Sequence, residues 1–482
     1  MRSPIPAMTS TSTGSSPTPE RRPAAVALID GEHYPAVVAD ALRELGERYE
    51  FRAAVFLGGT EKIRGDDLEA EARRLYGLPV IFAAEPAAAL VKAIEEHGPD
   101  VVVDVSDEPV VGYRERFRLI SFALSRNVSY EGSDFRFTPP RLDRLSASPS
   151  LSIIGTAKRV GKTALSGYVA RIIQEASGYG STGAPGVVIV PMGRGGPARP
   201  EIIDGLERVL GAADLLAWSR QGRHAASDHF EDAALSRVTT VGCRRCGGGM
   251  AGQPFVSNVA AGAILANGLG ARLTIFEGSG AAMPPVATDA RLLVAGAHQP
   301  PEYVTGYLGT YRVLVSDAMV LTMAEEPLAE RATVERILRE VEELRPGMPA
   351  IPVVFRPFPV EPVEGRRVAL FSTAPPVQAP RLRRHLEERH GCEVVAFSGN
   401  LSNRRALVRD LENPALHGAE MYLTEIKAAA IDVVAEAADE RGLPVVFVDN
   451  LPMEVAPAQE GALAELCRWL AGVARERHES TR

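Results

Sequence analysis

Leu151-Ser-Ile-Ile-Gly-Thr-Ala-Lys-Arg-Val-Gly-Lys-Thr163 is the stretch on which the fold turns. An apolar run, Leu151 to Ile154, stops at Gly155. A short loop follows, and Gly161-Lys162-Thr163 opens a helix-like segment, Ala164 to Gln174. Strand, glycine-framed loop, Gly-Lys-Thr and helix together make the phosphate cradle of P-loop nucleotide enzymes. Backbone N–H groups turn inward there and form an anion-binding concavity at a helix N-terminus. Lys162 is expected as an exposed point charge on the β/γ-phosphates, and the Thr163 hydroxyl as a Mg²⁺ ligand. Five residues separate Gly155 from Gly161, one more than the usual spacing. The lysine usage supports the reading. Only Lys62, Lys92, Lys158, Lys162 and Lys427 occur among 53 basic residues, and two of these five lie in this loop. An ammonium and a guanidinium fork are not interchangeable at a phosphate site.

Working outward, 482 residues suffice for about three domains. The composition, 45% hydrophobic and 24% charged, is that of a globular protein. A net charge of −8 argues against nucleic-acid binding by broad charge neutralisation, though not against a small anionic substrate in a local basic pocket. No apolar run approaches the roughly 20 residues of a membrane span. Residues 1–23, rich in Ser, Thr and Pro, read as a disordered tail without the apolar middle of a signal peptide. Four cysteines do not make a disulfide framework at this size, and the expected location is cytoplasmic.

The fold expected is α/β: three units with open, mostly parallel sheets, the central one a P-loop domain. Residues 24–149 alternate strands (24–29, 53–57, 79–83, 101–105, 128–130) with helices (35–49, 85–97, 113–125). Residues 150–345 form the ATP-binding domain, with strands at 151–154, 187–190, 273–276, 292–294 and 313–315. Residues 346–366 carry Pro352, Pro357, Pro359 and Pro362 and read as a linker or extended edge. Residues 367–482 form a third α/β unit that ends in an amphipathic helix.

Several constellations carry chemistry. Glu277, at the end of an apolar strand and before Gly-Ser-Gly, stands where P-loop domains hold a Mg²⁺-associated carboxylate. Arg194, framed by glycines in Met192-Gly-Arg-Gly-Gly-Pro197, is a candidate clamp on transferring phosphate. Cys243-Arg-Arg-Cys246 provides half of a four-thiolate zinc site, which a two-fold axis could complete. The simpler reading is a glycine-rich loop placing Arg244 and Arg245 near an anion or interface. His33 and His229, among acidic residues, are candidate bases or hydrogen-bonding groups. Lys427 either reaches a phosphate or pairs with Glu425. The loops Asp30–Pro35 and Ser106–Pro109 follow strands of the first sheet, where ligands of such sheets bind.

The P-loop with its five-residue gap and the Glu277-Gly-Ser-Gly loop resemble those of dethiobiotin synthetase. Leu28-Ile-Asp-Gly-Glu-His-Tyr-Pro35, Asp104-Val-Ser-Asp-Glu-Pro109, Met192–Pro197, Ser227-Asp-His-Phe-Glu-Asp232 and Val241–Gly249 together resemble the cyclic 2,3-diphosphoglycerate synthetase family, over about residues 24–450. The resemblance implies an ATP- and Mg²⁺-dependent ligase that closes an intramolecular anhydride in 2,3-bisphosphoglycerate. Its catalytic groups would be Lys158, Lys162, Arg194 and Glu277. Gly155, Arg159, Gly161, Lys162 and Thr163 would hold the nucleotide, and Thr163 with Glu277 the Mg²⁺. Asp30, His33, Tyr34, Asp107, Glu108, Arg244 and Arg245 would serve the phosphorylated acid. A homodimer is expected, with no nucleic-acid or membrane partner. The alternatives are a P-loop switch or metallochaperone, or a dethiobiotin-synthetase-like carboxylating ligase.

Overall fold

The computed structural model describes residues 21–59, 61–62, 68–176 and 185–481. The expected N-terminal tail lies, through residue 20, outside them. The chain divides into two compact units, Met1–Gly112 with Arg126–Phe137, and Tyr113–Ser125 with Thr138–Arg482.

In the first unit the elements run β1 (Ala24–Ile29), α1 (Pro35–Leu45), β2 (Glu50–Phe56), α2 (Leu68–Tyr76), β3 (Val80–Ile81), α3 (Pro86–His97) and β4 (Val101–Asp104). Helix α4 (Tyr113–Ser125) groups with the second unit, and β5 (Ser129–Glu131) and β6 (Arg136–Phe137) complete the first sheet. The strand order is β3-β2-β1-β4-β5-β6, parallel except for β6. All six residues of β1 are buried, as a strand covered on both faces requires. The order reverses between β1 and β4, and the loops after these two strands lie at that switch point, where open α/β sheets take ligands.

The second unit continues with β7 (Ser150–Gly155), α5 (Lys162–Ala176), β8 (Val187–Gly193), β9 (Glu201–Asp204), α6 (Ala212–Arg220), α7 (Asp228–Ser236), β10 (Thr239–Cys246), β11 (Val256–Ser257), α8 (Val259–Asn267), β12 (Leu273–Glu277) and β13 (Ala290–Gly296). Next come α9 (Pro301–Val304), α10 (Gly309–Leu314), β14 (Ala318–Thr322), α11 (Arg331–Leu344) and β15 (Ala350–Pro359). The last part holds β16 (Arg367–Phe371), α12 (Ala379–His390), β17 (Glu393–Ser398), α13 (Arg404–Asp410), β18 (Met421–Thr424), α14 (Glu436–Glu440), β19 (Val445–Glu454) and α15 (Ala462–Ser480). One 13-stranded sheet runs β11-β10-β8-β12-β7-β13-β14-β15-β19-β18-β16-β17, with β9 on β10.

Two expectations are overturned. Residues 313–315 end the helix α10, and the strand is the following run Ala318-Met-Val-Leu-Thr322, buried throughout. A single Val-x-Val is too short to distinguish a strand from a helical turn. The expected 346–366 linker instead contains β15, a ten-residue strand that joins the P-loop and C-terminal sheets. It pairs parallel with β14 over Ala350–Pro352 and antiparallel with β19 over Val353–Pro359. The prolines are tolerated for a geometric reason. The Val360 N–H donates to Phe447 O and the Pro352 carbonyl accepts from Val455 N, so even-numbered residues face β19. Pro357 and Pro359 fall on the other register, on the side where β14 has ended, so no ladder bond is lost.

Two cores fix the site. Around β7 and α5, Leu165, Val169 and Ile173 pack with Leu463, Leu466 and Leu470 of α15, so the last helix returns to cover the P-loop sheet. Between α6–α7 and the C-terminal strands, Leu215, Phe230 and Ala233 pack with Phe371, Tyr422 and Ile426. This second core wedges α7 between the P-loop and C-terminal parts.

Candidate active site

The P-loop is held by its neighbours. Thr322 Oγ1, at the end of β14, donates to the Val160 carbonyl at 2.8 Å and to the Ala295 carbonyl at 3.1 Å. Gly155 lies under the Lys162 side chain: a Cβ there would stand 2.8 Å from Lys162 Cδ and 2.9 Å from Nζ. Gly161 has φ +86°, and its Cβ would stand 2.3 Å from the ring of Phe355 on β15. Gly161→Ala therefore meets both left-handed strain and a ring that cannot move freely, together costing about 2–4 kcal/mol. The expected result is a melting temperature lower by several degrees and weakened nucleotide binding. In a Phe355→Ala background the added cost should shrink to the backbone part. An equal cost in both backgrounds, read by thermal melts as a double-mutant cycle, would dissociate the ring from the loop.

Lys162 is not the exposed charge expected: only 7% of it is exposed. Its Nζ donates to the Ala157 carbonyl at 2.9 Å. Burial pushes its pKa down to about 8, against the opposing pull of Glu277 and Asp228. Thr163 Oγ1 donates to Glu277 Oε1 at 2.8 Å, which brings together the two expected Mg²⁺ groups. Glu277 is 2% exposed, and burial and then the neighbouring Asp228 raise its pKa to about 8. Its Oε2 is buried without a hydrogen-bond partner. An orphaned carboxylate oxygen beside a P-loop hydroxyl suits a hard divalent cation, so the residues present fit Mg²⁺.

A cavity of about 550 Å³ opens over this loop, and all of its lining belongs to the second unit. One end is basic, with Lys158, Arg159, Lys162 and Arg194. Burial and then the like charges of Arg159 and Arg194 lower the Lys158 pKa. The glycines about Arg194 are required by close packing: a Cβ at Gly195 would stand 2.4 Å from the His224 ring, and one at Gly196 1.9 Å from the Cys243 carbonyl. The lining also carries Leu328, Leu382 and Gln378, and Phe355, whose ring lies against Gly161 of the loop.

The C-terminal strands contribute Glu425 and Lys427, which the sequence singled out but whose partners it did not show. Glu425 Oε1 accepts from Ser372 Oγ at 2.6 Å, and Oε2 from Thr373 Oγ1 at 2.7 Å, which shapes the loop after β16 along the cavity wall. Lys427 pairs with Glu231 at 3.2 Å, a partner on α7 far away in sequence. Burial alone would depress its pKa, but the Glu231 and Glu425 carboxylates outweigh it and raise it.

Other expected residues fall elsewhere. Arg244 is exposed and outside the cavity lining. Arg245 also lies outside that lining and braces the loop after Glu277, with Nη2 donating to Ser279 O at 2.7 Å and Nη1 to Gly247 O at 2.7 Å. His229 is buried against Glu201 at 2.9 Å and serves packing rather than the cavity. Cys243 and Cys246 lie on β10, not in a loop, and a separation of three residues along a strand sends side chains to opposite faces. Cys243 is buried and packs on α8, where a Cβ at Gly262 would stand 2.2 Å from its Sγ, whereas Cys246 is exposed. These two thiols do not face one metal together. In the first unit Asp30 is fully buried and ties two loops: Oδ1 accepts from Glu32 N and His33 N and contacts His33 Nδ1 at 2.9 Å, and Oδ2 accepts from Asp107 N at 2.7 Å. His33 and Tyr34 stand beside it, Tyr34 half exposed, with Glu108 following Asp107.

Among the described residues, no helix is long and apolar enough to cross a membrane. Family models match three consecutive stretches, described as the N-terminal domain (24–138), the P-loop domain (150–354) and the C-terminal domain (359–451) of cyclic 2,3-diphosphoglycerate synthetase. Relatives carrying that name include proteins of Rubrobacter xylanophilus, 55% identical over 92% of this chain and 96% of its own. One from Thermococcus gammatolerans is 48% identical over 89% and 94%. One from Methanothermus fervidus is 43% identical over 89% and 93%. The chain belongs to the cyclic 2,3-diphosphoglycerate synthetase family.

Proposed function

We propose that this chain uses ATP to close an intramolecular phosphoanhydride in 2,3-bisphosphoglycerate, releasing ADP and orthophosphate. One observation carries the reading. Lys158 and Arg194 line the cavity beside the P-loop, and among the described residues neither has a hydrogen bond or ion pair. Cations in a cavity wall that no ion pair neutralises call for an anion, and the P-loop amides beside them suit a triphosphate.

The reaction divides into two displacements. An oxygen of one substrate phosphate bonds to the γ-phosphorus of ATP, and the bond to ADP breaks. An oxygen of the neighbouring phosphate then bonds to the phosphorus of the activated group, and orthophosphate leaves. No protein nucleophile is needed, so positioning and charge supply the catalysis. Lys162 and the P-loop amides hold the β/γ-phosphates, and Arg159 flanks the same loop. Lys158 and Arg194 neutralise the equatorial oxygens of the phosphoryl group in flight. Thr163 and Glu277 would hold Mg²⁺, which would offset the charge of the phosphates. The apolar side chains of the lining, Leu328 and Leu382 among them, suit the base, with the Gln378 amide available to its polar edge. The C-terminal strands thus complete the nucleotide site, and the loops tied by Asp30, bearing His33, Tyr34, Asp107 and Glu108, are the candidate site for the acid. The protein acts as a soluble cytoplasmic homodimer.

The test is ³¹P NMR of the protein with ATP, Mg²⁺ and 2,3-bisphosphoglycerate. The expected result is loss of both monoester signals to a cyclic anhydride, with ADP and orthophosphate formed in equal amounts. ATP hydrolysis that leaves 2,3-bisphosphoglycerate unchanged would refute the assignment.

A further inference from the structure

Helix α7 opens with Asp228-His-Phe-Glu231-Asp232, so three carboxyl groups fall at i, i+3 and i+4 on one face. The core beneath α7 turns that face toward the P-loop. Asp232 is 1% exposed, Glu231 5% and Glu277 2%. Asp228 borders the cavity, and its Oδ2 lies 3.3 Å from where a Gly193 Cβ would stand.

The partners are unequal. Glu231 has Lys427 at 3.2 Å. Glu277 Oε1 has the Thr163 hydroxyl. Asp232 has neither: both of its oxygens are buried without a donor, as is Glu277 Oε2. The Asp232 carboxyl lies against that of Glu277, where two carboxylates can bond to each other only through a shared proton. Three oxygens from two carboxyl groups thus converge with nothing to hold them. Carboxylate oxygens that are buried, close together and without donors suit a hard divalent cation.

We propose that Asp232, with Asp228 beside it, completes the divalent-cation site of Thr163 and Glu277, so that α7 as well as the P-loop would hold the metal. Asp232 acts as ligand or as acceptor for metal-bound water; in either role its oxygens gain the partner they lack. The site rests on the nucleotide reading of the cavity, because the cation would enter with the triphosphate.

The experiment uses the full-length protein and its Asp232→Asn variant. Mn²⁺ binding is followed by electron paramagnetic resonance in the presence of a non-hydrolysable ATP analogue. Metal-free binding of a fluorescent ATP analogue is measured separately. The asparagine keeps the shape of Asp232 and supplies an N–H donor toward Glu277, so the variant should melt at or above the parent temperature without metal. Mn²⁺ affinity should fall at least tenfold, and the thermal upshift given by Mn²⁺ with the analogue should be largely lost. Asp228→Asn should fall in the same direction. Unchanged Mn²⁺ affinity in Asp232→Asn, with loss in Glu277→Gln, would overturn the role of α7 and leave Asp232 as a proton-sharing partner only. Failure of the parent protein to bind the fluorescent analogue at all would instead overturn the nucleotide reading.

Discussion

Lys162→Ala should lower kcat by on the order of 10²–10³ while leaving a folded protein, because it deletes a charge that acts on the transferring phosphate. The structure sharpens the reason. Lys162 is buried, stretched over Gly155, and its Nζ rests on the Ala157 carbonyl within the loop. With nucleotide bound, that ammonium need only exchange a carbonyl for phosphate oxygens, which requires little reorganisation. Lys162→Arg should fare little better than alanine. The fork is wider than an ammonium, and the Lys162 side chain already lies close over Gly155. Steady-state kinetics, with circular dichroism as the folding control, measure both variants. A folded Lys162→Ala enzyme retaining most of its rate would remove the P-loop from the mechanism.

What could be read from the chain before folding was whatever is contiguous. The cradle Gly155–Thr163, Arg194 between its glycines, and Glu277 at its strand end each lie in one short motif whose residue types state their chemistry. The structure places Lys158, Arg159, Gly161–Thr163, Arg194 and Glu277 on one cavity, with Gly155 beneath the Lys162 side chain. The strand pattern of the first unit was equally legible, because β1 and β4 are short apolar runs bounded by polar loops. Long-range contacts were not legible. Phe355 closes over Gly161 from a strand that its prolines disguised as a linker. Lys427 stood out as a rare lysine, yet its partner Glu231 lies 196 positions earlier and is brought near only by the packing of α7 on the C-terminal strands.

The acidic face of α7 is the instructive miss. Asp228, Glu231 and Asp232 carry helical spacing that a sequence can display. Charged residues at i, i+3 and i+4 ordinarily mark a solvated face, so the spacing alone does not point to a buried cluster. Only the tertiary context, an apolar opposite face with Phe230 and Ala233 in the core, shows that the charged side is also buried. The two cysteines show the converse. Cys-x-x-Cys suggests a chelate when drawn as a loop, and the pleat of β10 separates the thiols.

Glu277→Gln is expected to separate stability from activity. In the metal-free protein the Glu277 carboxyl is held near neutrality, its pKa raised to about 8 by burial and by Asp228. A glutamine amide copies the shape and charge of that protonated form. Its carbonyl can accept from Thr163 Oγ1 as Glu277 Oε1 does, and its N–H₂ can donate toward the orphaned oxygens of Asp232. The variant should therefore melt at or above the wild-type temperature without metal, since the amide keeps the hydrogen bonds of the protonated carboxyl and cannot ionise in a buried site. Activity should move the other way. An amide oxygen is a poor substitute for a carboxylate beside a hard cation, so kcat should fall by on the order of 10² and the Mg²⁺ dependence should shift to higher concentration. Metal-free binding of an ATP analogue should change little, because the P-loop amides and Lys162 remain. Thermal melts in chelator and Mg²⁺ titrations of the rate check the two halves separately. A variant that melts several degrees lower would mean that Glu277 acts chiefly as a buried structural anion. An unchanged Mg²⁺ titration would mean that the metal is held elsewhere.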